Sequence, residues 1–572
     1  MTVTPPGTGT EGPPPLPSAL PTALPSALPS ARSGEPGTVR DGNELPVVSK
    51  KFLARATIVT VVLSIAGAVL GLARDQALAR LFGAGTETDA FLVAWTVPEF
   101  ASTLLIEDGL AFALVPAFSL ALARRSRGAP GDPVRALVAT TLPRLALALA
   151  ATGALTVWLA PHLVELLAPG LPDPALAVDC TRLTATCVLS FGLAGFCAAG
   201  LRAHRRFLVP ATIYVAYNTG IITAMFVLGG RWGVRSAAVG VAVGGVLMVA
   251  VQLPSFVKQL RRRSVAAEES GPAAGQAVGA ALVASVLLFA LCRQSQVLIE
   301  RYLASGLPAG SISHLNYAQK VAQIPMTLSL MLCTVTFPVV ARAMAEGNTD
   351  LARARVERDL AMAACVVLLG TATVVACAPQ MVELLFQRGA FTAEDTAVTA
   401  AVMRVYALGL LGQTLVGVLI RSYFSAGRPT WYPLATMAVG IVVTSWAGAW
   451  SLASWGVRGI AAANAAGITV TAVLLLAGMR RRSVPVRTRH VLRELGGPVA
   501  AAALATPAGA LAAARPDTPL AALAVGAATV TCLFLLLGRA VNAQGLKPIF
   551  DSFRTVTQRL RHVRSRSSRR LR

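Results

Sequence analysis

The sequence predicts an all-α protein that crosses a membrane many times, and three observations support this class. Of the 572 residues, 55% are hydrophobic and only 14% are charged, whereas a soluble domain carries roughly 25% charged residues. The apolar residues come in blocks close to the ~20 residues that span a bilayer's hydrocarbon core. Lys and Arg cluster between these blocks, so the net charge of +24 reflects membrane topology rather than nucleic-acid binding.

Apolar blocks separated by charged, Pro or Gly residues predict fourteen transmembrane helices. The predicted limits are 54–81, 88–121, 136–160, 176–201, 208–229, 234–257, 274–304, 311–341, 360–379, 396–425, 430–453, 457–479, 494–513 and 518–538. A faint echo at a period of about 220 residues relates the fifth span to the eleventh. Two six-helix halves are typical of transporters that are built from repeats around a central site.

The chain divides into five predicted parts. They are a disordered, Pro-rich tail at 1–50, an N-lobe with helices one to six at 51–263, a C-lobe with helices seven to twelve at 264–482, helices thirteen and fourteen at 483–540, and a basic tail at 541–572. The first tail is of low complexity and cannot bury a core. The second tail could contact anionic lipid headgroups, or it could serve only to fix the topology.

The distribution of basic residues predicts that both termini are cytoplasmic. Lys and Arg on the side of the N-terminus number 26 before the C-terminal tail is added, and the other side has 7. Cytoplasmic loops of membrane proteins carry an excess of Lys and Arg. The chain is therefore predicted to cross an inner membrane many times, with both tails in the cytoplasm.

The sequence lacks the motifs of an enzyme or of an ATP-driven pump. It contains no G-x-x-x-x-G-K-[ST], H-E-x-x-H or G-x-S-x-G pattern. Its eight cysteines lie in or near apolar spans without a C-x-x-C pair, which indicates core residues rather than a disulfide or zinc framework. The sequence therefore favours a carrier with no metal, cofactor or nucleic-acid partner.

Charged residues inside the predicted spans are the candidate site. Such residues are costly in hydrocarbon and usually face a bundle interior or a water-filled path. They are Arg74, Asp75, Asp89, Glu99, Glu107, Asp108, Arg293, Glu300, Lys320 and Arg404. Cationic groups in a central cavity suit an anionic substrate such as a diphosphate. Two of these residues also have local interpretations: Arg74 as one half of an ion pair with Asp75, and Asp89 as a cap of the second span.

Prolines and glycines mark elements that could bend or gate. Pro98 and Pro116 predict a bend in the second span, and Pro325 predicts one just beyond Lys320. Gly83 and Gly85 form a turn before the second span. Bent helices suit a transporter whose halves rock against each other.

Several stretches of the chain resemble the MurJ/MviN family, the lipid II flippases of bacterial cell-wall synthesis. They include GLARD at 71–75, LFGAG at 81–85 and TDAF at 88–91. The most specific is ELLFQRGAFT at 383–392, which contains Arg388 and Gly389. The similarities run in order from about residue 52 to about residue 480.

The resemblance implies the fold of the multidrug/oligosaccharidyl-lipid/polysaccharide exporter superfamily. In it, two six-helix lobes enclose a central cavity, and helices thirteen and fourteen form a lipid-facing groove. The implied activity is the movement of an undecaprenyl-diphosphate-linked peptidoglycan precursor from the inner to the outer leaflet by alternating access. The implied energy source is the membrane potential or an ion gradient, without ATP. Implied partners are a lipid-linked anionic substrate, membrane lipids and cell-wall synthesis proteins.

The resemblance also assigns residues, with departures. Arg74 and Asp89 match a cavity arginine and aspartate, and Glu107 matches a glutamate of helix two. Lys320 replaces an arginine of helix eight. Ala68 stands where the family has a further arginine. The arginine pair of helix two is Ser102-Thr103 here.

These departures leave three functional hypotheses. The first is a flippase for lipid II or a close polyprenyl-diphosphate-linked glycan. The second is an exporter of the same fold for another lipid-linked glycan or a secondary metabolite, which the lost arginines favour. The third is a transport-inactive scaffold that recruits envelope-synthesis proteins through its tails.

Overall fold

The structure is a computed structural model. It describes residues 50–107, 109–127, 131–261, 280–334, 337–425, 430–541 and 544–546. The predicted tail at 1–50 lies outside this range except for its last residue. Nearly all of the basic tail at 541–572 and the predicted acid Asp108 also lie outside the described residues.

Ten α-helices form the first half of the described chain, here called the N-half. Helices α1 to α10 are Lys50–Phe82, Thr86–Ala94, Thr96–Ser102, Gly109–Ser126, Pro133–Leu167, Pro174–Ala185, Cys187–Ala203, Leu208–Ala211, Ile213–Trp232 and Arg235–Arg261. A π-helical turn, Thr103–Glu107, connects α3 to α4.

Nine further α-helices form the second half, here called the C-half, and two more follow it. Helices α11 to α19 are Ala280–Ser305, Ser311–Ala322, Ile324–Thr334, Phe337–Ala345, Thr349–Ala376, Ala378–Phe386, Ala393–Ala407, Leu410–Ser425 and Tyr432–Arg482. Helices α20 and α21 are Thr488–Ala513 and Pro519–Ala540, and a short 3₁₀ helix is Gln544–Leu546.

Helical segments lie at all fourteen predicted positions. Within the described ranges, ten helices are long and apolar enough to cross a membrane, and the bent pair α17–α18 adds an eleventh. The predicted spans 430–453 and 457–479 together correspond to α19, which is interrupted at Gly456 (φ 51°, ψ −131°). No strand occurs among the described residues.

Local sequence explains where many helices begin. Asp173 accepts a hydrogen bond from the backbone N–H of Leu176 at 2.9 Å, which caps α6. Thr392 and Asp395 form a capping box at the start of α17. Caps of this kind satisfy backbone donors that the first helical turn leaves without a partner.

Both predicted bends coincide with helix breaks, which lie close to two of the three prolines. The chain breaks at Trp95, between α2 and α3, three residues before Pro98. It breaks again at Gln323, just before Pro325. Proline removes a backbone donor and clashes with the preceding turn, which explains both positions. Pro116, in contrast, lies inside the uninterrupted helix α4.

The largest cluster of buried apolar residues contains residues of both halves. In the C-half, the ring of Tyr317 lies 4.9 Å from that of Phe386 and 5.7 Å from that of Phe391, measured between centroids. In the N-half, Phe191 and Tyr217 pack edge to face at 5.3 Å. Aromatic rings thus contribute to the buried core on both sides.

Helices α20 and α21 pack against each other and against α15. A Cβ at Gly509 would lie 2.2 Å from a methyl of Val530, and a Cβ at Gly526 would lie 2.6 Å from the sulfur of Cys377. Small residues at these positions allow the helix backbones to approach closely. The pair is therefore attached to the C-half by close packing.

Helices α9 and α10 also cross at glycines. A Cβ at Gly244 would lie 2.6 Å from the carbonyl oxygen of Tyr217, and one at Gly240 would lie 2.7 Å from the Cα of Ile221. Neither backbone neighbour can move without shifting its helix, so any larger residue forces α9 and α10 apart.

Replacing Gly244 by alanine is therefore expected to destabilise the protein by about 1–3 kcal/mol, the usual cost of overpacking. The measurement is the thermal unfolding midpoint of the detergent-purified protein. Gly230→Ala in α9 is the matched control, because nothing lies within 4 Å of a Cβ there. Equal midpoints for the two variants would contradict the close crossing.

Candidate functional site

The buried carboxylate of Asp75 pairs with two cations, at the place where α1 of the N-half meets α12 of the C-half. Nη2 of Arg74 donates to Oδ1 of Asp75 at 2.8 Å. Nζ of Lys320 lies 3.1 Å from Oδ2 of the same residue. The Asp75 side chain is 6% exposed, compared with 12% for Arg74 and 28% for Lys320. The cluster has a formal charge of +1 and includes residues of both halves.

Neighbouring side chains of the N-half hold Arg74 in place. Its guanidinium carbon lies 4.4 Å above the ring centroid of Trp95, and Nη1 donates to Oδ1 of Asn218 at 3.2 Å. The amide nitrogen of Asn218 donates in turn to the carbonyl oxygen of Tyr214 at 2.9 Å. Nζ of Lys320 lies 5.7 Å from the same Trp95 ring, so one indole contacts both cations.

Lys320 also lines a cavity of about 730 Å³. Glu99 is the only N-half residue in its lining, and the remainder comes from the C-half. About half of the lining residues are polar. The polar residues are Glu99, Arg293, Gln294, Gln296, Glu300, Arg301, Asn316, Gln319, Lys320, Gln323, Tyr406, Gln413, Arg421 and Asn464. Four cations and two carboxylates leave this lining with an excess of positive charge.

Glu99 takes part in a second ion pair between the halves. Its Oε2 accepts a hydrogen bond from Nη2 of Arg301 at 2.9 Å. Nη1 of the same arginine donates to the hydroxyl of Thr96. Beside it, the buried carboxylate of Glu300 accepts a hydrogen bond from the amide of Asn464. Glu99 therefore neutralises one cavity cation.

Asp89 joins the halves at a different place, by capping a helix that belongs to the other half. Its Oδ2 accepts from the backbone N–H of Gly310 at 2.7 Å. Its Oδ1 accepts from the backbone N–H and the hydroxyl of Ser313 at 2.8 and 2.5 Å. These are the donors that the start of α12 leaves unsatisfied, and a carboxylate there also complements the helix dipole. The local cap of the second span suggested by the sequence does not form.

Two glycine turns interlock the halves beside Asp89. The backbone N–H of Ala390 donates to the carbonyl oxygen of Arg80 at 2.9 Å. Gly83 and Gly389 have φ values of 68° and 67°, which favour glycine. A Cβ at Gly83 would lie 2.7 Å from the Ala390 carbonyl oxygen, and one at Gly389 would lie 2.3 Å from that of Arg80. The sequence motifs at 81–85 and 387–391 therefore contact each other directly.

Glu107 ends the π-helical turn on the N-half. Its Oε1 accepts from the hydroxyl of Tyr214 at 2.8 Å and from that of Ser102 at 3.2 Å. The turn fits against α7 because Gly195 is there: a Cβ would lie 2.0 Å from the carbonyl oxygen of Leu105. Residue 102, where the resemblance implies an arginine, thus gives Glu107 a hydroxyl partner instead of a cation.

The remaining predicted residues are spread over the fold. Arg293 lines the cavity. Arg404 is exposed, donates to the carbonyl oxygen of Val375 at 3.2 Å, and is not among the residues of the cavity lining. Arg388 donates to the carbonyl oxygen of Leu384 at 3.3 Å. Gly85 precedes α2 in an extended conformation.

The candidates chosen from the sequence omit two cations of the cavity, Arg301 and Arg421. Both fall within predicted spans, at 274–304 and 396–425, and that position was the available signal. Asp75 was a candidate, but nothing in the sequence connects it to Lys320.

Long apolar helices in two halves, joined by buried ion pairs beside a polar cavity, define a multi-pass membrane transporter. The profile of the family described as lipid II flippase MurJ matches residues 78–523. The chain belongs to this family, as its resemblance predicted. It is an integral protein of a bacterial membrane.

Curated relatives agree with this assignment. The chain is 27% identical over 442 residues to the lipid II flippase MurJ of Burkholderia cenocepacia, covering 76% of this chain and 84% of that protein. It is also 27% identical over 442 residues to the probable lipid II flippase MurJ of Bdellovibrio bacteriovorus, covering 74% and 82%.

Solved structures confirm the all-α, polytopic fold class. A lipid II flippase MurJ in an inward closed conformation matches with a TM-score of 0.66 at 18% identity, covering 85% of this chain and 99% of that one. An inward-facing MATE family transporter of the MOP superfamily matches with a TM-score of 0.55 at 16% identity, covering 76% and 99%. At these identities the likeness concerns the fold alone.

The cap that Asp89 provides predicts that Asp89→Ala loosens the contact between the halves at the Gly83–Gly389 turns, because three hydrogen bonds across it are lost. Spin labels at the exposed positions Glu87 of the N-half and Glu394 of the C-half report the distance between the halves by double electron–electron resonance. We expect a longer or broader distance distribution than in the parent protein.

The control for this measurement is Asp179→Ala. It removes a carboxylate that pairs with Arg235 within the N-half, where both side chains are more than 40% exposed. If Asp89→Ala and Asp179→Ala give the same distance distribution, Asp89 does not hold the halves together.

Proposed function

We propose that this protein is a flippase that moves lipid II, a diphosphate-linked precursor of the cell wall, from the inner to the outer leaflet by alternating access. The observation that carries the proposal is the convergence of Arg74 and Lys320 on Asp75, between the halves and beside the cavity. Family membership supports the same substrate class.

The barrier that such a protein must lower is electrostatic. A charged headgroup in hydrocarbon costs several kcal/mol or more, and a polar cavity with an excess of cations replaces part of the lost hydration. The apolar chain of the lipid does not need that shelter and stays among the membrane lipids. The cavity therefore has to hold only the headgroup and the first carbons next to it.

Asp75 acts as an internal substitute for the substrate. While the cavity is empty of anion, its carboxylate compensates the charge of Arg74 and Lys320. A diphosphate that approaches Lys320 competes for the same cations. Because Lys320 belongs to the C-half and Arg74 to the N-half, that competition weakens an attraction between the halves and favours their separation.

The contacts of Asp89 and the Gly83–Gly389 turns act as the gate on one side. They consist of a few hydrogen bonds between backbone and one carboxylate, which can break without unfolding either half. Alternating access requires that these contacts open when the opposite side closes.

Three further features belong to the proposal. Both termini lie in the cytoplasm, in accord with the excess of Lys and Arg on that side of the predicted topology. Transport proceeds without ATP and without a bound cofactor, and is driven by the membrane potential or an ion gradient. The protein carries out no covalent catalysis.

A second candidate is the export of another lipid-linked glycan by the same fold. The observation that favours it is the chemistry of the N-half, where Ser102 and Tyr214 surround Glu107 and Glu99 lines the cavity. Acids and hydroxyls on this side hold a diphosphate less strongly than arginines would. Its headgroup would have to be less acidic than that of lipid II.

Arg74→Ala and Lys320→Ala are each expected to abolish growth rescue in cells depleted of their own lipid II flippase. Either change leaves Asp75 with one cation and removes a positive charge from the site. Rescue is scored by colony formation, and immunoblots of isolated membranes verify that each variant is present. Arg144→Ala, an exposed arginine of α5, is the control and should rescue fully.

The substrate is tested by accessibility of lipid II at the outer leaflet in the same depleted cells. Expression of the parent chain should restore accessibility. Failure to restore it, with accumulation of a different lipid-linked intermediate on deletion of the native gene, would favour the second candidate. Full growth of both the Arg74→Ala and the Lys320→Ala strains would contradict the proposed role of the cluster.

A further inference from the structure

The cavity has two chemically different ends. Helix contacts identify them. Glu300 of α11 bonds to Asn464 of α19, and a Cβ at Gly409, just before α18, would lie 2.9 Å from Ala465 of the same helix. The end of α11 and the start of α18 therefore lie at one level, here called the amide end.

The opposite end is apolar. The rings of Phe289 and Phe424 contact each other edge to face, with centroids 6.3 Å apart. Phe289 is near the start of α11, and Phe424 is near the end of α18, so the two helices run in opposite directions. The apolar lining residues nearest to this end are Val286, Phe289, Ala290 and Phe424.

Two arginines lie close to these rings, on the side that faces the amide end. Arg293 follows Phe289 by four residues, and Arg421 precedes Phe424 by three, which places each about 5–6 Å along its helix towards the amide end. Both arginines line the cavity. Because α11 and α18 are antiparallel, the two guanidinium groups belong to one level of the cavity wall.

The two arginines differ in how they are held. Arg421 donates from Nη1 to the carbonyl oxygen of Leu330 at 3.0 Å, and it also lines a small second pocket together with Asp359. Arg293 is exposed and has no hydrogen bond or ion pair with another described residue. One guanidinium is thus oriented by the protein, and the other retains donors for a ligand.

This level is separate from the Asp75 cluster. Leu330, which accepts the hydrogen bond from Arg421, lies ten residues after Lys320, or about 15 Å along α12 and α13. The carboxylates of the cavity lining are at the other end: Glu99 pairs with Arg301, and Glu300 lies five residues before Ser305, where α11 ends.

We infer that Arg293 and Arg421 form a second anion-binding subsite in the C-half, which binds the diphosphate of a prenyl-linked substrate with the first prenyl carbons against Phe289 and Phe424. The inference rests on the proposed function and adds a binding station to it. Planar guanidinium groups bind phosphate oxygens in pairs, and the aromatic rings contact apolar carbon.

The subsite explains how the cavity can bind an anion although the N-half lacks arginines at positions 68 and 102. The positions at 68 and 102 offer no cation here, so the positive charge of the cavity comes mainly from C-half residues. A diphosphate bound at Arg293 and Arg421 would lie near Leu330, which follows Lys320 by ten residues and lies beyond the helix break at Gln323. The diphosphate would then pass between this subsite and the Lys320 cluster as the cavity changes shape.

The test is equilibrium binding of farnesyl diphosphate to the full chain in nanodiscs of zwitterionic lipid. Arg293→Gln is expected to raise Kd about tenfold or more, since a charged hydrogen bond is lost. Arg421→Gln should act in the same direction, and Arg293→Lys should raise Kd less than Arg293→Gln because it keeps the charge. Arg458→Gln, an exposed arginine outside the cavity lining, should leave Kd unchanged.

Inorganic pyrophosphate is the second probe, and it should bind more weakly than farnesyl diphosphate because it cannot contact the rings. Equal affinity for both probes would overturn the apolar part of the subsite. An unchanged Kd in Arg293→Gln, or equal effects of Arg293→Gln and Arg293→Lys, would overturn the subsite while the proposed function stands. If the parent chain binds no prenyl diphosphate at all, the proposed function itself fails.

Discussion

One buried carboxylate that is shared by two cations is the constraint on which this structure depends. Asp75 is almost inaccessible, and Arg74 and Lys320 approach it from different halves of the molecule. A lone carboxylate in such a place would be strongly unfavourable, and so would either cation. The three groups are tolerated together. In the mechanism we propose, a substrate anion takes over the role of Asp75, which couples the binding of cargo to the movement of the halves.

Much of the fold could be predicted from sequence because membrane-spanning helices are recognisable as long apolar blocks. Apolar blocks of the right length placed a helical segment at every expected position, including the Ala-rich α20. Pro98 and Pro325 indicated two helix breaks, for the local reason that proline removes a backbone donor. Pro116 did not break α4. The break expected between the spans 430–453 and 457–479 falls at a single glycine, Gly456, inside α19.

Less of the site could be predicted, because its contacts join residues far apart in the chain. Lys320 and Asp75 are separated by 245 positions, and no local pattern relates them. Asp89 looked like a cap of its own helix, but it caps α12 of the other half. Arg301 and Arg421 lie near the ends of their helices, where an arginine normally signals topology. Only the packing of the helices in three dimensions shows that both line a cavity.

The most direct test of the central claim is a double-mutant cycle between Asp75 and Lys320, with Asp75→Asn, Lys320→Gln and the combined variant. The quantity measured is the initial rate of lipid II translocation in proteoliposomes. If the two side chains act as one pair, the combined loss is no larger than either single loss, and the coupling exceeds about 1 kcal/mol. If the rate loss of the combined variant equals the product of the two single losses, the account is contradicted, because Asp75 and Lys320 then act independently.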